Sequence, residues 1–382
     1  MDKTKKKKIR LLYIADSTSV HTQRWLKYFA DRGYEIFIIT IGKKRQTLPY
    51  AHHVFNFDQF YYNSPTFLKY LFKAKRLIKV IKPDILHAHF VHQYGWLAAF
   101  SGFHPFILTA WGTDILKLPY ASRGKLGKWL TQYTLKKANV ITATSAAARN
   151  EAIRLGADSK KTEVIFWGVD TQKFNPDIDV QELRKSLSIP EKALVVFSNR
   201  NCAPLYNIDI IIKAMVIVLK QYPETILMLQ NSEGGSRYEA RLKRLVFVNR
   251  IERSVRFLPS YPHEKLPPLY ALADIYVTVP TWDAGPVSLK EAMASNCAPI
   301  ISNVAGPMEW VRHEENGLVV PVKDVDRLEK SILDLLVNKE KRLRFNQKNR
   351  RIILEKAEHT LQMQRVDEMY KQIINAFENN SL

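Results

Sequence analysis

The chain has 382 residues, of which 46% are apolar and 25% charged, a balance that excludes intrinsically disordered and fibrous proteins. Its length predicts two domains, because single hydrophobic cores rarely grow beyond about 250–300 residues. Cys202 and Cys297 are the only cysteines, and neither lies in a Cys-x-x-Cys pair. The sequence therefore predicts neither a disulfide framework nor a structural zinc site, and it favours a reducing cytosol.

Basic residues are in excess and unevenly distributed. The 58 Lys and Arg residues outnumber 37 Asp and Glu residues, which gives a net charge of +21. Residues 1–180 hold 29 basic and 13 acidic residues (net +16), and the remainder holds 29 and 24 (net +5). No apolar stretch reaches the roughly 18–20 residues that span a bilayer, and the apolar run at 9–15 is too short for a signal peptide. We expect a cytoplasmic protein whose first domain meets a polyanionic partner, either nucleic acid or an anionic membrane.

Short apolar runs alternate with amphipathic stretches along the chain. The first half predicts helices at 21–32, 66–82, 124–138 and 146–155 and strands at 9–15, 35–40, 85–89, 105–109, 140–145 and 164–166. After a polar segment near 175–192, strands are predicted at 194–197, 226–229, 254–258, 274–278, 299–302 and 318–320. This alternation predicts two tandem doubly wound, Rossmann-like α/β domains, at 1–180 and 181–359. We expect the final segment, 360–382, to form a helix that crosses back to the first domain.

One segment carries most of the predicted chemistry, and it runs from Pro280 to Ala294 between a predicted strand and a predicted helix. Asp283 would lie at the carboxyl end of the strand, where open α/β sheets bind ligands, and Gly285 would let the backbone approach a ligand closely. Two carboxylates, Asp283 and Glu291, flank a helix N-terminus whose free N–H groups favour an anion. This layout suits a nucleotide-sugar, with hydroxyls at both ends and phosphate between. The donor-binding candidates here are Gly285, Pro286, Val287, Ser288, Leu289 and Glu291.

The block from Asp283 to Glu291 and on through Ala292-Met293-Ala294 resembles the E-x7-E signature of retaining glycosyltransferases with the GT-B fold, of the family 4 (group 1) type. Other blocks resemble that family in the same order along the chain. They are Pro83-Asp84-Ile-Leu-His87-Ala-His89, Leu108-Thr-Ala-Trp111-Gly112-Thr-Asp114, Gly168-Val169-Asp170 with Phe174, Ala305-Gly306-Pro307-Met308-Glu309 and Asn316-Gly317.

The resemblance implies a retaining, metal-independent hexosyltransferase that needs no cofactor. Its donor would be a UDP-, GDP- or ADP-sugar bound mainly to the second domain, and its acceptor a glycan or lipid-linked molecule on the first, in cell-surface polysaccharide or glycolipid synthesis. The family pattern implies that Asp283 contacts the donor sugar, Glu291 the ribose and Arg200 the pyrophosphate. The candidate catalytic residues are thus Asp283, Arg200 and Asp114. Asp283 replaces the more common Glu, Trp111 replaces a His, and Tyr206-Asn207 replaces Lys-Gly.

Further candidates lie at predicted strand ends of the first domain. Asp16, Ser17 and His21 are acceptor-side candidates, although Asp16, Ser17 and Asp114 also suit simple turns, and His21 also suits packing. For His87 and His89, on one face of a predicted strand, we favour buried, hydrogen-bonded histidines. For Trp111, packing is favoured over stacking on a substrate.

A basic, aromatic tract at 60–79 would pack one face on the sheet and expose Lys69, Lys73 and Arg76 on the other, as in an interfacial segment. With the Lys5–Lys8 run, it predicts a peripheral protein on the cytoplasmic face of an anionic membrane.

The alternatives to a glycosyltransferase are a nucleotide-sugar epimerase or hydrolase on the same fold, and a basic nucleic-acid-binding protein. The acidic pair and the absence of a recognised DNA-binding motif argue against nucleic acid as a partner.

Overall fold

The computed structural model describes residues 8–42, 47–59, 65–116, 120–230 and 236–379. The chain divides into two compact units. The first holds the described residues up to Trp167 together with those from Gln362 onward, and the second is Gly168–Leu361. The division thus falls earlier than the boundary predicted at 180, because the backbone of Val169 joins the second unit. Its N–H donates to the carbonyl of Ala357 (2.8 Å), and its carbonyl accepts from His359 (2.9 Å).

The first unit is built on a seven-stranded, all-parallel sheet among the described residues. Its strands are β1 (Arg10–Ile14), β2 (Glu35–Ile41), β3 (His53–Phe57), β4 (Ile85–His89), β5 (Phe106–Ala110), β6 (Val140–Ala143) and β7 (Thr162–Val164). Its helices are α1 (Val20–Ala30), α2 (Pro65–Ile81), α3 (Gln93–Ser101), α4 (Tyr120–Lys137) and α5 (Ala146–Arg154). The spatial order is β3-β2-β1-β4-β5-β6-β7. The strand order therefore reverses between β1 and β4.

The second unit repeats this plan with six parallel strands among the described residues. Its helices are α6 (Gln181–Ser186), α7 (Ile208–Gln221), α8 (Arg237–Val248), α9 (Pro267–Leu272), α10 (Val287–Ala294), α11 (Ala305–Met308), α12 (Val325–Val337) and α13 (Lys339–Lys356). Its strands are β8 (Val195–Ser198), β9 (Ile226–Gln230), β10 (Val255–Leu258), β11 (Ile275–Thr278), β12 (Ala298–Ser302) and β13 (Leu318–Val320). The order β10-β9-β8-β11-β12-β13 reverses between β8 and β11.

Both sheets are parallel, and their central strands are buried on both faces. Every residue of β4, β5, β9 and β12 is buried, and helices must cover both sides of such a sheet. Each unit accordingly has its own core of Ile, Leu, Val and Ala side chains. The predicted fold class, two Rossmann-like doubly wound domains, is confirmed.

Two elements of the first unit were not predicted, β3 and α3. The strand β3 lies at the sheet edge and buries only Phe57 fully, so its sequence lacks the continuous apolar run of a central strand. The helix α3 is apolar on nearly all sides, with Gly95, Trp96, Leu97, Ala98 and Ala99 buried. It therefore lacks the amphipathic period that marks a surface helix.

The last helix, α14 (His359–Asn379), enters the core of the first unit through Tyr370. The hydroxyl group of Tyr370 lies 2.5 Å from His87 Nδ1, 3.1 Å from the hydroxyl of Tyr13 and 3.3 Å from Trp25 Nε1. All four side chains are buried. One phenol on the C-terminal helix thus satisfies three polar groups from β1, α1 and β4.

We expect Tyr370→Phe to destabilise the first unit, because it leaves buried polar groups without their partner. The expected loss is about 1–3 kcal/mol in the free energy of unfolding, measured as a lower urea midpoint. Tyr222→Phe, at an exposed position of the second unit, is the matched control and should leave the midpoint unchanged. Equal midpoints for the two variants would contradict the assignment.

Candidate functional site

The candidate site of the second unit lies at its strand-order reversal. Asn199 and Arg200 follow β8 directly, and the Asp283–Gly285 turn lies between β11 and α10. Because β8 and β11 are adjacent and parallel, their carboxyl ends meet at the same edge of the sheet. Ligands of open α/β sheets bind at such a reversal. The structure therefore brings together Arg200 and Asp283, which the sequence placed on separate segments.

Arg200 makes the central polar contacts of this site. Its Nη2 donates to Asp283 Oδ2 at 2.7 Å, and its Nη1 donates to Ser288 Oγ at 2.9 Å. Its guanidinium carbon lies 4.2 Å from the centre of the Tyr206 ring. The Arg200 and Asp283 side chains are only 13% and 11% exposed, so both charges are largely shielded from water. Tyr206, which departs from the family pattern, supports the arginine as a stacking partner.

The turn that carries Asp283 packs against the backbone of Gly306. A Cβ atom at Gly306 would lie 2.5 Å from the carbonyl oxygen of Asp283 and 2.7 Å from Gly285 N. No side chain fits there without displacing the turn. Within the turn, Asp283 Oδ1 accepts from Gly285 N at 3.1 Å. Glycine at 306 is therefore a condition for the position of the Asp283 carboxylate.

Glu291 is 3% exposed and belongs to a hydrogen-bond network. Its Oε1 lies 2.6 Å from His263 Nε2, and its Oε2 accepts from the hydroxyl of Tyr270 at 3.0 Å. That hydroxyl accepts from Asn199 Nδ2 (2.7 Å), and Asn199 Oδ1 accepts from Tyr276 (2.7 Å). Burial, together with the Glu291 carboxylate, raises the pKa of Tyr270 well above its ordinary value, so this phenol stays a donor. The network orients Glu291 and connects it to the residue before Arg200.

Sequence reasoning missed four members of this network. They are Asn199, His263, Tyr270 and Tyr276. Asn199, His263 and Tyr270 precede the strand-turn-helix segment of Glu291 in the chain, whereas Tyr276 lies on its strand β11, and the tertiary fold brings all four together around Glu291. Of the four, only Asn199 could have been suspected from the sequence, because it directly precedes the predicted site residue Arg200.

The N-terminus of α10 completes the second-unit site. Its N-cap is Pro286, and no side chain forms a cap hydrogen bond there within the described chain. The first N–H groups of the helix, at Val287, Ser288 and Leu289, carry the positive end of the helix dipole. Leu289 itself is fully buried. It can therefore contribute only its backbone to a ligand.

In the first unit, Asp16, Ser17 and Asp114 hold turns. Asp16 Oδ1 accepts from the N–H and hydroxyl of Thr18 (2.9 and 2.7 Å), and the Ser17 N–H donates to Thr40 Oγ1 (3.1 Å). Asp114 is fully buried, and burial raises its pKa to about 6. Its carboxylate accepts from the N–H groups of Val91, Trp111 and Gly112 at 2.8–2.9 Å. This geometry assigns Asp114 to holding the turn, and the predicted catalytic role would require its carboxylate to leave these bonds.

His21, His87 and His89 have different environments. His21 is partly exposed and stacks on Trp167, with ring centres 5.0 Å apart. His87 is buried and hydrogen-bonded as expected, to Tyr370 and, through Nε2, to Thr109 Oγ1 at 2.7 Å. His89 is equally buried, but its ring nitrogens have no hydrogen-bond partner in the described part of the chain.

The basic helix α2 exposes one face. Phe67, Tyr70, Ala74, Ile78 and Ile81 are buried, whereas Lys69, Lys73 and Arg76 are exposed. Leu68, Phe72 and Val80 lie on the exposed side, with Phe72 at 69% and Val80 at 72% exposure. Residues 60–64 of the predicted tract and Lys5–Lys7 lie outside the described residues.

The described ranges contain neither a helix that could span a membrane nor a cluster of metal-ligating side chains. No helix there combines the length and apolarity needed to cross a membrane. Nor does any group of three or more His, Cys, Asp or Glu side chains there have a geometry that could hold a metal ion.

Comparison with known proteins identifies the family. The family described as "Glycosyl transferase 4-like" matches residues 10–145, and "Glycosyl transferases group 1" matches residues 179–352. The D-inositol 3-phosphate glycosyltransferase of Jonesia denitrificans is 28% identical over 258 residues, 62% of this chain and 60% of that protein. A GDP-mannose-dependent alpha-(1-6)-phosphatidylinositol monomannoside mannosyltransferase of Mycobacterium tuberculosis is 28% identical over 211 residues, 53% of this chain and 54% of that protein. The matches thus span less than two thirds of these relatives.

Solved structures share the fold. Anabaena HepE, crystallised in complex with UDP, superposes with a TM-score of 0.81 at 18% identity, covering 95% of this chain and 100% of HepE. Sucrose-phosphate synthase from Thermosynechococcus elongatus gives 0.78 at 18% identity, covering 97% and 100%. With two sequence families in tandem on two Rossmann-like units, the chain belongs to the GT-B glycosyltransferases of the family 4, group 1 type.

Proposed function

We propose that this protein transfers a sugar from a nucleotide-diphosphate-sugar to a hydroxyl group of a glycan or lipid-linked acceptor, in cell-surface polysaccharide or glycolipid synthesis. The observation that carries the proposal is the arrangement of Arg200, Asp283 and Ser288 at the reversal between β8 and β11, with Glu291 one turn further along α10. Family membership supports the same reaction.

The diphosphate of the donor would bind Arg200 and the N-terminus of α10. A guanidinium offers two parallel N–H groups to a phosphate, and the free amides of a helix N-terminus add dipoles of the same sign. Asp283, Ser288 and Tyr206 already hold Arg200 in place, so little reorganisation is needed as the leaving diphosphate gains charge.

The two carboxylates would bind the hydroxyl groups at the two ends of the donor. Asp283 would accept from the sugar, and Glu291 from the ribose. An ionised carboxylate has about four lone-pair sites. The contacts with His263 and Tyr270 hold the Glu291 carboxylate in a fixed orientation.

The proposed mechanism retains the configuration at the anomeric carbon. The acceptor hydroxyl attacks the face from which the diphosphate leaves, through an oxocarbenium-like state. No side chain serves as a covalent nucleophile. The protein's part is to hold both substrates in position and to stabilise the developing charge on the diphosphate.

The nucleotide base is best found with a panel of donors. One relative is named as GDP-mannose-dependent, whereas HepE was crystallised with UDP and with UDP-glucose. A thermal-shift panel of UDP-, GDP- and ADP-sugars tests the proposal directly, because a ligand that binds the native state raises its stability. Product formed without any acceptor would favour the epimerase or hydrolase alternative.

We expect Glu291→Gln to weaken nucleotide-sugar binding, because it removes a charge-assisted hydrogen bond while keeping the side-chain shape. The expected loss is about 1.5–3 kcal/mol, or roughly ten- to over a hundredfold in Kd, measured by titration calorimetry. The matched control is Glu264→Gln, an exposed carboxylate one residue after His263. Unchanged donor affinity in folded Glu291→Gln protein would reject the role of Glu291.

Transfer should proceed in excess EDTA, because Arg200 and the α10 N-terminus supply the positive charge that a metal would otherwise provide. The measurement is the initial rate of sugar transfer with and without chelator. Loss of activity that Mn²⁺ or Mg²⁺ restores would show that the metal-independent mechanism is wrong.

We also propose that the first unit docks on the cytoplasmic leaflet of an anionic membrane. Support comes from the net charge of +16 on residues 1–180 and from the exposed basic and apolar side chains of α2. Each basic residue close to an anionic surface contributes about 1 kcal/mol, and exposed apolar side chains add burial in the headgroup region.

Changing Lys69, Lys73 and Arg76 to Glu should lower the partition coefficient on phosphatidylglycerol vesicles by about a hundredfold, the equivalent of roughly 3 kcal/mol. Co-sedimentation at increasing salt measures this, and wild-type binding should fade as screening increases.

The matched charge control changes three exposed basic residues of the second unit, Lys220, Arg253 and Lys330, to Glu. It alters the net charge by the same amount and should keep the binding. Equal binding to neutral and anionic vesicles, or an equal loss in both triple variants, would overturn the docking proposal.

A further inference from the structure

Aromatic side chains cluster at the carboxyl edge of the first unit's sheet. This aromatic cluster consists of His21, Trp25, His89, Trp111 and Trp167. The ring of His21 stacks on Trp167 at 5.0 Å and 22°, and Trp111 meets Trp167 edge-on at 5.0 Å and 78°. Trp25 and His89 pack beneath them, with ring centres 5.0 Å apart. His21 and Trp111 are partly exposed, whereas the other three are buried.

The position of the cluster in the fold is that of a ligand site. Trp111 follows β5 directly, Trp167 lies just beyond β7, and His21 lies in the first turn of α1 after β1. All three thus lie at the carboxyl ends of parallel strands, the edge at which open α/β sheets bind their ligands. His89, the last residue of β4, lies beside the β1–β4 reversal itself.

The cluster also holds hydrogen-bonding capacity that the described residues leave unused. Both ring nitrogens of His89 and Nε1 of Trp111 are buried atoms without a hydrogen-bond partner in the described ranges. Most buried polar groups are paired, so several such groups around one cluster require an explanation. Burial lowers the pKa of His89 to about 3. The ring is therefore neutral at physiological pH, with one nitrogen that donates and one that accepts.

We propose that the aromatic cluster is an acceptor subsite that takes a hexopyranose residue, with the exposed parts of Trp111 and His21 as its stacking platform. A pyranose ring has an apolar face of C–H groups and a rim of hydroxyls. Sites for such ligands combine aromatic surface with a few polar groups, as this cluster does. The inference rests on the proposed function and deepens it, because it makes the acceptor a glycoside that presents one C–H face to Trp111.

Saturation-transfer NMR on the full-length protein tests the subsite. The probes are methyl α-D-glucopyranoside, methyl α-D-mannopyranoside and methyl β-D-galactopyranoside. At least one should bind, with the strongest saturation on the C–H protons of one ring face. Trp111→Ala should weaken that binding by about tenfold or more, as truncation of an aromatic anchor does, whereas Trp111→Phe should retain most of it.

The matched control is Trp129→Ala, which removes a half-exposed tryptophan of α4 from the same unit and should leave glycoside binding unchanged. Nucleotide-sugar stabilisation of the same samples reports on the second unit and on folding. If Trp111→Ala does not fold, His21→Ala takes its place, with the same expected direction.

The outcomes separate the two proposals. Nucleotide-sugar binding without any glycoside binding, or glycoside binding that Trp111→Ala and His21→Ala leave unchanged, overturns the subsite and spares the proposed function. Trp111-dependent glycoside binding without nucleotide-sugar binding supports the subsite and overturns the proposed function.

Discussion

The ion pair between Arg200 and Asp283 is the interaction on which the second-unit site depends. Burying either charge alone is costly, and removing one partner of such a pair strands the other. The pair is possible because β8 and β11 are neighbours and because Gly306 lets the Asp283 turn approach its backbone. Ser288 ties the same guanidinium to the start of α10.

The fold was predictable because its signals are local. Central parallel strands are continuous apolar runs, and the helices between them mostly carry one apolar face, so the alternation is visible in the sequence. The edge strand β3 and the wholly apolar helix α3 have neither signal. The unit boundary also escaped prediction, because it depends on backbone hydrogen bonds between Val169 and residues 357 and 359, almost two hundred positions apart.

The site was predictable only in part. Asp283, Gly285 and Glu291 lie on one strand-turn-helix segment, so their spacing in the sequence predicts their relative positions in the structure. Arg200 was found through the family pattern. His263 and Tyr270, which contact Glu291, and Asn199, which contacts Tyr270, lie outside that segment, and no spacing rule connects them to it. The acidic candidates of the first unit, Asp16 and Asp114, form turn hydrogen bonds, and their predicted functional roles stay predictions. Short turns use the same residue types as catalytic sites, so the sequence alone does not distinguish the two. The three backbone N–H groups that donate to the Asp114 carboxylate are seen only in the folded structure.

The two units have similar strand orders but carry different side chains at the point where the strand order reverses. The reversal in the second unit is lined by a guanidinium, carboxylates and a helix N-terminus, which suit an anion that carries hydroxyls. The reversal in the first unit is lined by indoles and by histidines whose pKa values burial lowers, so these rings are uncharged at neutral pH. Such a surface presents aromatic rings and offers no cationic side chain from this cluster to a phosphate. The similar strand order thus gives each unit an edge of the kind at which open α/β sheets bind ligands, and the residues placed there differ in charge between the two units.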